Sequence, residues 1–255
     1  MKSYRAKAQQ EYGISAITAK AIVIAPFVIL FGFSVFLWLP ATQDYTNSLT
    51  YRKHPVEWTM FTVFLIAGLF SLILARRAKR NGEERYVYWF YFLFGLALLW
   101  VVGEINAWGQ KFFEYPTPEW MLKHNDLEAM TLHNIHGWNN NNHWLRLIFS
   151  LGGFTGIALN KSRRFQRIAV PSILAPWFAL FTFKCVLDVW VKEFPIESSY
   201  NWLMFNWVVN RLSKVAKVLI GMSAVLYLWL KNREMKRDWK SCSRPSPAEA
   251  TLVAQ

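Results

Sequence analysis

The chain has 255 residues, of which 54% are hydrophobic, and it contains 20 Phe and 14 Trp. This content of apolar and aromatic residues is higher than that of an average soluble domain and favours a multi-pass membrane protein. The net charge of +13 could indicate nucleic-acid binding, but the basic residues form short clusters between long apolar runs, which is typical of membrane topology instead.

Six apolar stretches have about the 20 residues that an α-helix needs to cross a bilayer. They cover about residues 17–40, 56–75, 87–109, 143–160, 168–190 and 205–230. The first run is too long for a signal-peptide core and has no clear small-residue cleavage site, so we interpret it as a retained anchor. The sequence predicts an all-α bundle of six transmembrane helices, with a single domain over residues 1–240 and a disordered cytoplasmic tail over residues 241–255.

The basic residues are distributed unevenly between the connectors. Most of the 29 Lys and Arg residues lie in the N-terminal arm, after the second and fourth spans, and in the tail, whereas most of the 16 carboxylates lie at the other end of the predicted bundle. The positive-inside rule therefore predicts that both termini face the cytoplasm. The basic connectors are expected to contact anionic membrane lipids, and no nucleic acid is expected as a partner.

This topology places a loop of about residues 110–142 on the extracytoplasmic side. Pro116 and Pro118 interrupt the continuation of the third span, and Pro118 followed by Glu119 is typical of the first turn of a helix. The sequence therefore predicts a short interfacial helix over about residues 119–131. Between the first two spans, residues 41–55 are predicted to form a polar loop.

Two carboxylates at the outer ends of spans are candidates for function. Glu57 lies in the first turn of the second span, where it could act in a site or only cap the positive end of the helix dipole. Glu104 lies near the outer end of the third span, with Trp108 one turn later on the same face. Carboxylates inside a membrane are costly and tend to face a cavity or a partner, so Glu104 is either functional or part of a structural ion pair.

The sixth span carries a stripe of polar residues on one face. The stripe consists of Asn206, Asn210, Ser213, Lys214 and Lys217. Arg211 lies beside it. Because lysine and asparagine side chains are unfavourable against lipid, the stripe is predicted to face the inside of the bundle.

In the fifth span, Lys184 and Asp188 are four residues apart and can meet on one helix face. Together with the stripe they predict an outward-facing polar cavity that suits the phosphate or carboxylate of a lipid or lipid-linked molecule. The residues predicted to bind this anionic ligand are Lys214, Lys217, Arg211, Lys184, Asp188, Asn210, Trp108, Gln110 and Asn134. A charge network that only holds the six helices in register is the competing interpretation.

The loop also contains a candidate metal site. His133 and His136 are three residues apart and could approach one zinc ion if their segment is helical. Candidates for the remaining ligands are Glu128, His124 and His143. Alternatively, Glu104 or Glu128 could act with His133 as general base and acid without a metal. A loop with hydrogen-bonded histidines is a third interpretation, because a short HxxH motif also arises by chance.

A series of residues in the second and third spans and the loop has a recognisable pattern. It consists of PVEW at 55–58, GE at 103–104, WGQ at 108–110, Pro118, Asn125 and LHN at 132–134. Over about residues 55–135 this series resembles an uncharacterised family of bacterial polytopic membrane proteins, whose pattern reads GEExSWGQ, then TP, then an Asn- and Glu-containing run that ends in LHN.

The chain departs from that pattern at three positions. Ile105 replaces the second glutamate, Ala107 replaces the serine, and Glu128 is one place out of register, so a role that depends on a Glu-Glu pair is not carried over. The resemblance implies a protein of the bacterial cytoplasmic (inner) membrane and no particular reaction. It supports the choice of Glu57, Glu104, Trp108, Gln110, His133 and Asn134 as site residues.

Three functions are compatible with these features. The first is a protein that binds, and as an enzyme would also hydrolyse or transfer, a lipid or lipid-linked anionic group, with Glu104, His133 and Glu57 as catalytic candidates. The second is a non-catalytic structural or assembly subunit of a larger membrane complex. The third is a small solute or ion transporter, which is disfavoured because no inverted repeat or pair of broken helices is visible. The sequence leaves open whether the protein is an enzyme.

Overall fold

The computed structural model describes residues 11–51, 54–125, 130–132, 142–194 and 200–242. These residues form mainly helices, some of them joined by short 3-10 turns. In chain order the helices are α1 (Ala16–Trp38), α2 (Pro40–Ser48), α3 (Pro55–Arg80), α4 (Arg85–Ile105), α5 (Gln110–Phe113), α6 (Glu119–Leu122), α7 (Asn142–Ala158), α8 (Ala175–Glu193) and α9 (Tyr200–Cys242). The predicted all-α fold is confirmed for this part of the chain.

Within the described ranges, five helical segments are long and apolar enough to cross a membrane, which is compatible with a multi-pass membrane protein. They are Ala16–Trp38, Pro55–Arg80, Arg85–Ile105, Ser172–Glu193 and Asn201–Trp239. The fourth predicted span coincides with α7, which has 17 residues and continues into a 3-10 turn over Leu159–Lys161. Five spans are therefore supported by length and composition, and the sixth stays a prediction.

Several helix boundaries differ from the sequence prediction. The first span ends at Trp38, and Pro40 begins the additional helix α2, because proline lacks an N–H group and fits the first turn of a helix. The predicted interfacial helix is only the four-residue α6 within the described residues. It ends early because the chain turns back, with the buried Asn125 donating a hydrogen bond from Nδ2 to the Thr131 carbonyl over 2.6 Å.

Helix α9 lies at the centre of the bundle and packs against α1, α3 and α8, while α4 packs on α3 and α7 packs on α8. The α3–α4 pair approaches closely at two glycines. A Cβ atom on Gly68 would lie 2.8 Å from the Leu99 side chain, and one on Gly95 would lie 2.8 Å from Leu72. Small residues at such positions let helix backbones pack tightly in membranes, where dispersion rather than apolar burial drives association.

Contacts between helix ends define two ends of the bundle. The basic end comprises residues 76–91, the connector 159–171 and the α9 turns from Trp229. At this end the Tyr91 hydroxyl donates a hydrogen bond to the Arg167 carbonyl over 2.7 Å. The polar end comprises the start of α3, the end of α4, the start of α7, the end of α8 and the α9 turns around Lys217. There Lys214 donates to the Thr50 carbonyl. The long helices thus alternate in direction, and which end faces the cytoplasm stays a prediction.

Candidate functional site

A cluster of charges joins α7, α8 and α9 at the polar end. Asp188 accepts hydrogen bonds from Lys184 on its own helix and from Arg146 on α7, and the Lys184 ammonium also donates to Ser213 on α9 over 3.0 Å. Lys184 is 2% exposed and Arg146 is 8% exposed. The predicted Lys184–Asp188 pair is therefore formed, and one carboxylate is shared by two buried cations.

Arg146 is the member of this cluster that the sequence prediction missed. Its ion pair with Asp188 joins two different helices, so no local spacing indicates it. The available signal was its position within the apolar stretch of residues 143–160, because an arginine inside a membrane span is costly and usually pairs with a group in the bundle.

Lys217 follows Ser213 by one helical turn on the same face of α9, and it is partly buried. Within the described part of the chain it makes no hydrogen bond or ion pair. The charged groups that act on its ammonium electrostatically include Arg146, Lys214, Glu57 and Lys111. Lys217 therefore lies in an environment where positive charges outnumber negative ones.

The other residues of the predicted stripe, and Arg211 beside it, make different contacts. Lys214 contacts the segment after α2 through the Thr50 carbonyl. The Arg211 guanidinium lies over the rings of Tyr51 and Trp207, at 5.5 Å and 5.8 Å from their centroids. Asn210 is exposed and donates to Asn206 over 2.8 Å. Of the stripe, only Ser213 thus has a described contact with the Lys184–Asp188 pair, and Lys217 lies one turn further along α9.

Glu57 lies in the first turn of α3 and forms an ion pair with Lys111, which follows α4 in the chain. The Lys111 ammonium also donates to the Ile105 carbonyl at the end of α4. Glu57 thus lies at the start of a helix, as predicted. Its ion pair with Lys111 also joins the start of α3 to the segment that follows α4.

Glu104 anchors the loop that follows α4. One of its carboxylate oxygens accepts a hydrogen bond from the Trp108 indole over 2.8 Å, and the other accepts from the Leu132 backbone N–H over 2.9 Å. The chain can turn back on Glu104 because Ala107, Trp108 and Gly109 have positive φ angles of 49°, 54° and 99°. The described contacts give Glu104 a structural role, and its catalytic role stays a prediction.

Gly103 and Gln110 complete this turn. A Cβ atom on Gly103 would lie 2.9 Å from the Trp108 ring, so the absent side chain makes room for the indole. The Gln110 amide donates to the Thr117 hydroxyl over 2.7 Å and accepts from the Met130 N–H over 2.9 Å. The motif GEINAWGQ thus builds a folded turn whose polar groups bind loop backbone, and a ligand role for Trp108 and Gln110 stays a prediction.

The predicted metal site falls largely outside the described residues. His133, Asn134, His136 and Glu128 all lie there, and the side chain of His143 is also outside the description. His124 is described, and its Nδ1 atom is 2.6 Å from the Trp120 carbonyl oxygen. The described residues contain no group of three or more His, Cys, Asp or Glu side chains that could hold a metal ion, so the zinc site stays a prediction.

Comparison with known proteins finds no protein family, curated protein or solved structure that matches the chain.

Proposed function

We propose that the protein is a multi-pass protein of the bacterial cytoplasmic membrane whose polar end faces the extracytoplasmic side and binds an anionic group of a lipid or lipid-linked molecule. The observation that carries this proposal is a local excess of cations inside the bundle at the polar end. Lys184 and Arg146 share a single carboxylate, Asp188. The charged groups that act on Lys217 comprise three cations and one carboxylate, Glu57.

The physical reason is the cost of unpaired charge inside a bundle. Removing an ammonium or guanidinium group from water costs several kcal/mol unless a counter-charge compensates it. Asp188 can neutralise one of its two bound cations, and Glu57 is engaged by Lys111. An anionic ligand beside Lys217 would supply the missing negative charge, and anionic lipid headgroups are one source of such a ligand.

Binding has more support than hydrolysis or transfer. The Glu104 carboxylate has hydrogen-bond donors on both of its oxygens, and those donors belong to the loop that it anchors. A catalytic step would need this carboxylate, or Glu57, to leave its present contacts and act with His133. We therefore propose ligand binding as the function and keep catalysis as a secondary hypothesis.

Native mass spectrometry of the full chain, extracted gently from its own membrane, tests the proposal. We expect an anionic lipid to co-purify with the wild-type protein and to be lost in Lys217→Met. The matched control is Lys192→Met, which removes an exposed lysine at the end of α8 and should retain the lipid. Loss of the lipid in both variants, or its absence from the wild type, would contradict the proposal. A stoichiometric partner polypeptide without lipid would favour the subunit role instead.

A further inference from the structure

We infer that the group bound at the polar end is a phosphate monoester, held between the Arg146 guanidinium and the Lys217 ammonium. This inference rests on the proposed function, which it deepens by naming the ligand chemistry and the two groups that contact it. It follows from an unsatisfied donor, an unpaired cation and the net charge of their surroundings.

The unsatisfied donor is the Nε–H group of Arg146. Arg146 uses Nη2 to bind Asp188, but its Nε atom is buried and has no hydrogen-bond partner among the described residues. Buried polar groups in folded proteins nearly always have a partner, and a guanidinium N–H left without one is particularly unfavourable. The Nε–H group therefore indicates a missing acceptor beside α7.

The unpaired cation is Lys217, and it lies near the same place. Arg146 is among the charged groups close enough to act on Lys217 electrostatically. The two are connected through Asp188 and Ser213, and Ser213 lies one turn from Lys217 on α9. Two positive groups in the same part of a bundle repel each other, and an anion bound to both would offset that repulsion. The missing acceptor and the missing counter-charge are thus explained by one ligand.

The charge of the cluster favours phosphate monoester over other anions. Lys184 and Arg146 share the single negative charge of Asp188, and Lys217 has no ion pair among the described residues, so the three cations leave two positive charges uncompensated. A phosphate monoester carries a charge of about −1.5 to −2 at neutral pH, whereas a phosphodiester or a carboxylate carries only about −1. Its three terminal oxygens can also accept from Nε–H and from an ammonium at the same time.

Such a phosphate could belong to a lipid or be free in solution, so the experiment compares both sources. The full chain in nanodiscs of phosphatidylcholine is titrated with phosphatidic acid, which is a monoester, with phosphatidylglycerol, which is a diester, and with inorganic phosphate. Bound species are counted by native mass spectrometry. We expect phosphatidic acid to bind at least tenfold more tightly than phosphatidylglycerol if the source is a lipid. Saturable binding of inorganic phosphate at similar strength would support a free phosphate source.

Two variants test the contacts. Arg146→Lys keeps a positive charge for Asp188 but removes the Nε–H donor, and it should weaken binding of the monoester at least tenfold. Lys217→Met should weaken it as much, Lys217→Arg should restore most of it, and Lys192→Met should leave it unchanged. If Arg146→Lys does not fold, the two Lys217 variants test the inference by themselves. They are suitable because Lys217 has no described partner whose loss would unfold the bundle.

The outcomes separate this inference from the proposed function. Equal binding of phosphatidic acid and phosphatidylglycerol, lost in Lys217→Met, would overturn the monoester inference and leave the binding function in place. Binding that Arg146→Lys leaves unchanged would overturn the assigned Arg146 contact. Absence of binding for all three probes would overturn both proposals.

Discussion

The two ends of the bundle use charged residues in different ways. At the basic end, Arg167 binds Asp238 and lies 3.4 Å from Glu83, and Lys231 binds Glu234 over 2.7 Å and the Gln166 carbonyl over 2.6 Å. At the polar end, Lys184 and Arg146 share Asp188, and Lys217 has no ion pair among the described residues. The two cations named at the basic end each have a carboxylate partner of their own, whereas at the polar end two buried cations share one carboxylate.

The electrostatics of Arg167 illustrate how carboxylate partners compensate for burial at the basic end. Burial alone would lower the pKa of its guanidinium, but the hydrogen bond with Asp238 and the charge of Glu83 outweigh burial, so that pKa is raised. The comparison teaches that a buried cation is structural where carboxylates or carbonyls match it, and that a binding site is indicated where buried cations outnumber their partners.

Removing one carboxylate at each end should give the largest difference between the two ends in the free energy of unfolding. Asp188→Asn leaves Lys184 and Arg146 buried without a full negative charge, and it should lower the free energy of unfolding by about 3–5 kcal/mol. Asp238→Asn is the matched change at the basic end, where the Asp238 side chain is 48% exposed, and it should cost about 1 kcal/mol or less. Denaturation in detergent measures both. Similar losses for the two variants would contradict the distinction.

The packing that carries the polar-end cluster can be tested at two adjacent glycines of α7. A Cβ atom on Gly153 would lie 2.2 Å from the Phe178 ring of α8, so Gly153→Ala should separate the helices and cost about 1–3 kcal/mol. Gly152 has no atom within 4 Å of such a Cβ, so Gly152→Ala should be neutral or stabilise by up to about 1 kcal/mol. Thermal unfolding of both variants in the same detergent provides the comparison.

The loop at the polar end should respond locally rather than globally to a change at its anchor. Glu104→Ala removes the acceptor for the Trp108 indole and for the Leu132 N–H, which should cost about 1–3 kcal/mol in loop stability. We expect faster hydrogen exchange at the Leu132 amide and faster proteolysis within residues 106–132. Glu119→Ala, at an exposed position in the same loop, is the control. Unchanged exchange at Leu132 would show that Glu104 does not anchor the loop.

The smallest effect is expected for a single neutral hydrogen bond at the basic end. The Tyr227 hydroxyl donates to the Ile168 carbonyl over 2.7 Å, so Tyr227→Phe should cost about 0.5–1.5 kcal/mol. Lipid binding at the polar end should not change. Tyr45→Phe, which alters an exposed ring, should have no measurable effect in the same unfolding assay. A loss of lipid binding in Tyr227→Phe would show that the two ends are coupled.

Much of the helical architecture could be predicted because it depends on local sequence. The apolar runs indicated the five supported spans, and the four-residue spacing of Lys184 and Asp188 indicated their pairing. Helix α2 was missed because its polar residues carry no membrane signal. The predicted helix over about residues 119–131 was too long, because the Asn125 contact that turns the chain back joins residues that helical periodicity does not relate.

The sequence by itself therefore determined where the long apolar helices lie and where charges lie along each of them, since both follow from hydropathy and from a fixed helical repeat. Only the tertiary structure decided which charges meet. Arg146 reaches Asp188 from another helix, Glu104 is occupied by the folded turn after α4, and Lys217 is left beside other cations. These outcomes depend on how helices distant in sequence pack together, and the cation-rich surroundings of Lys217 are a property of that packing.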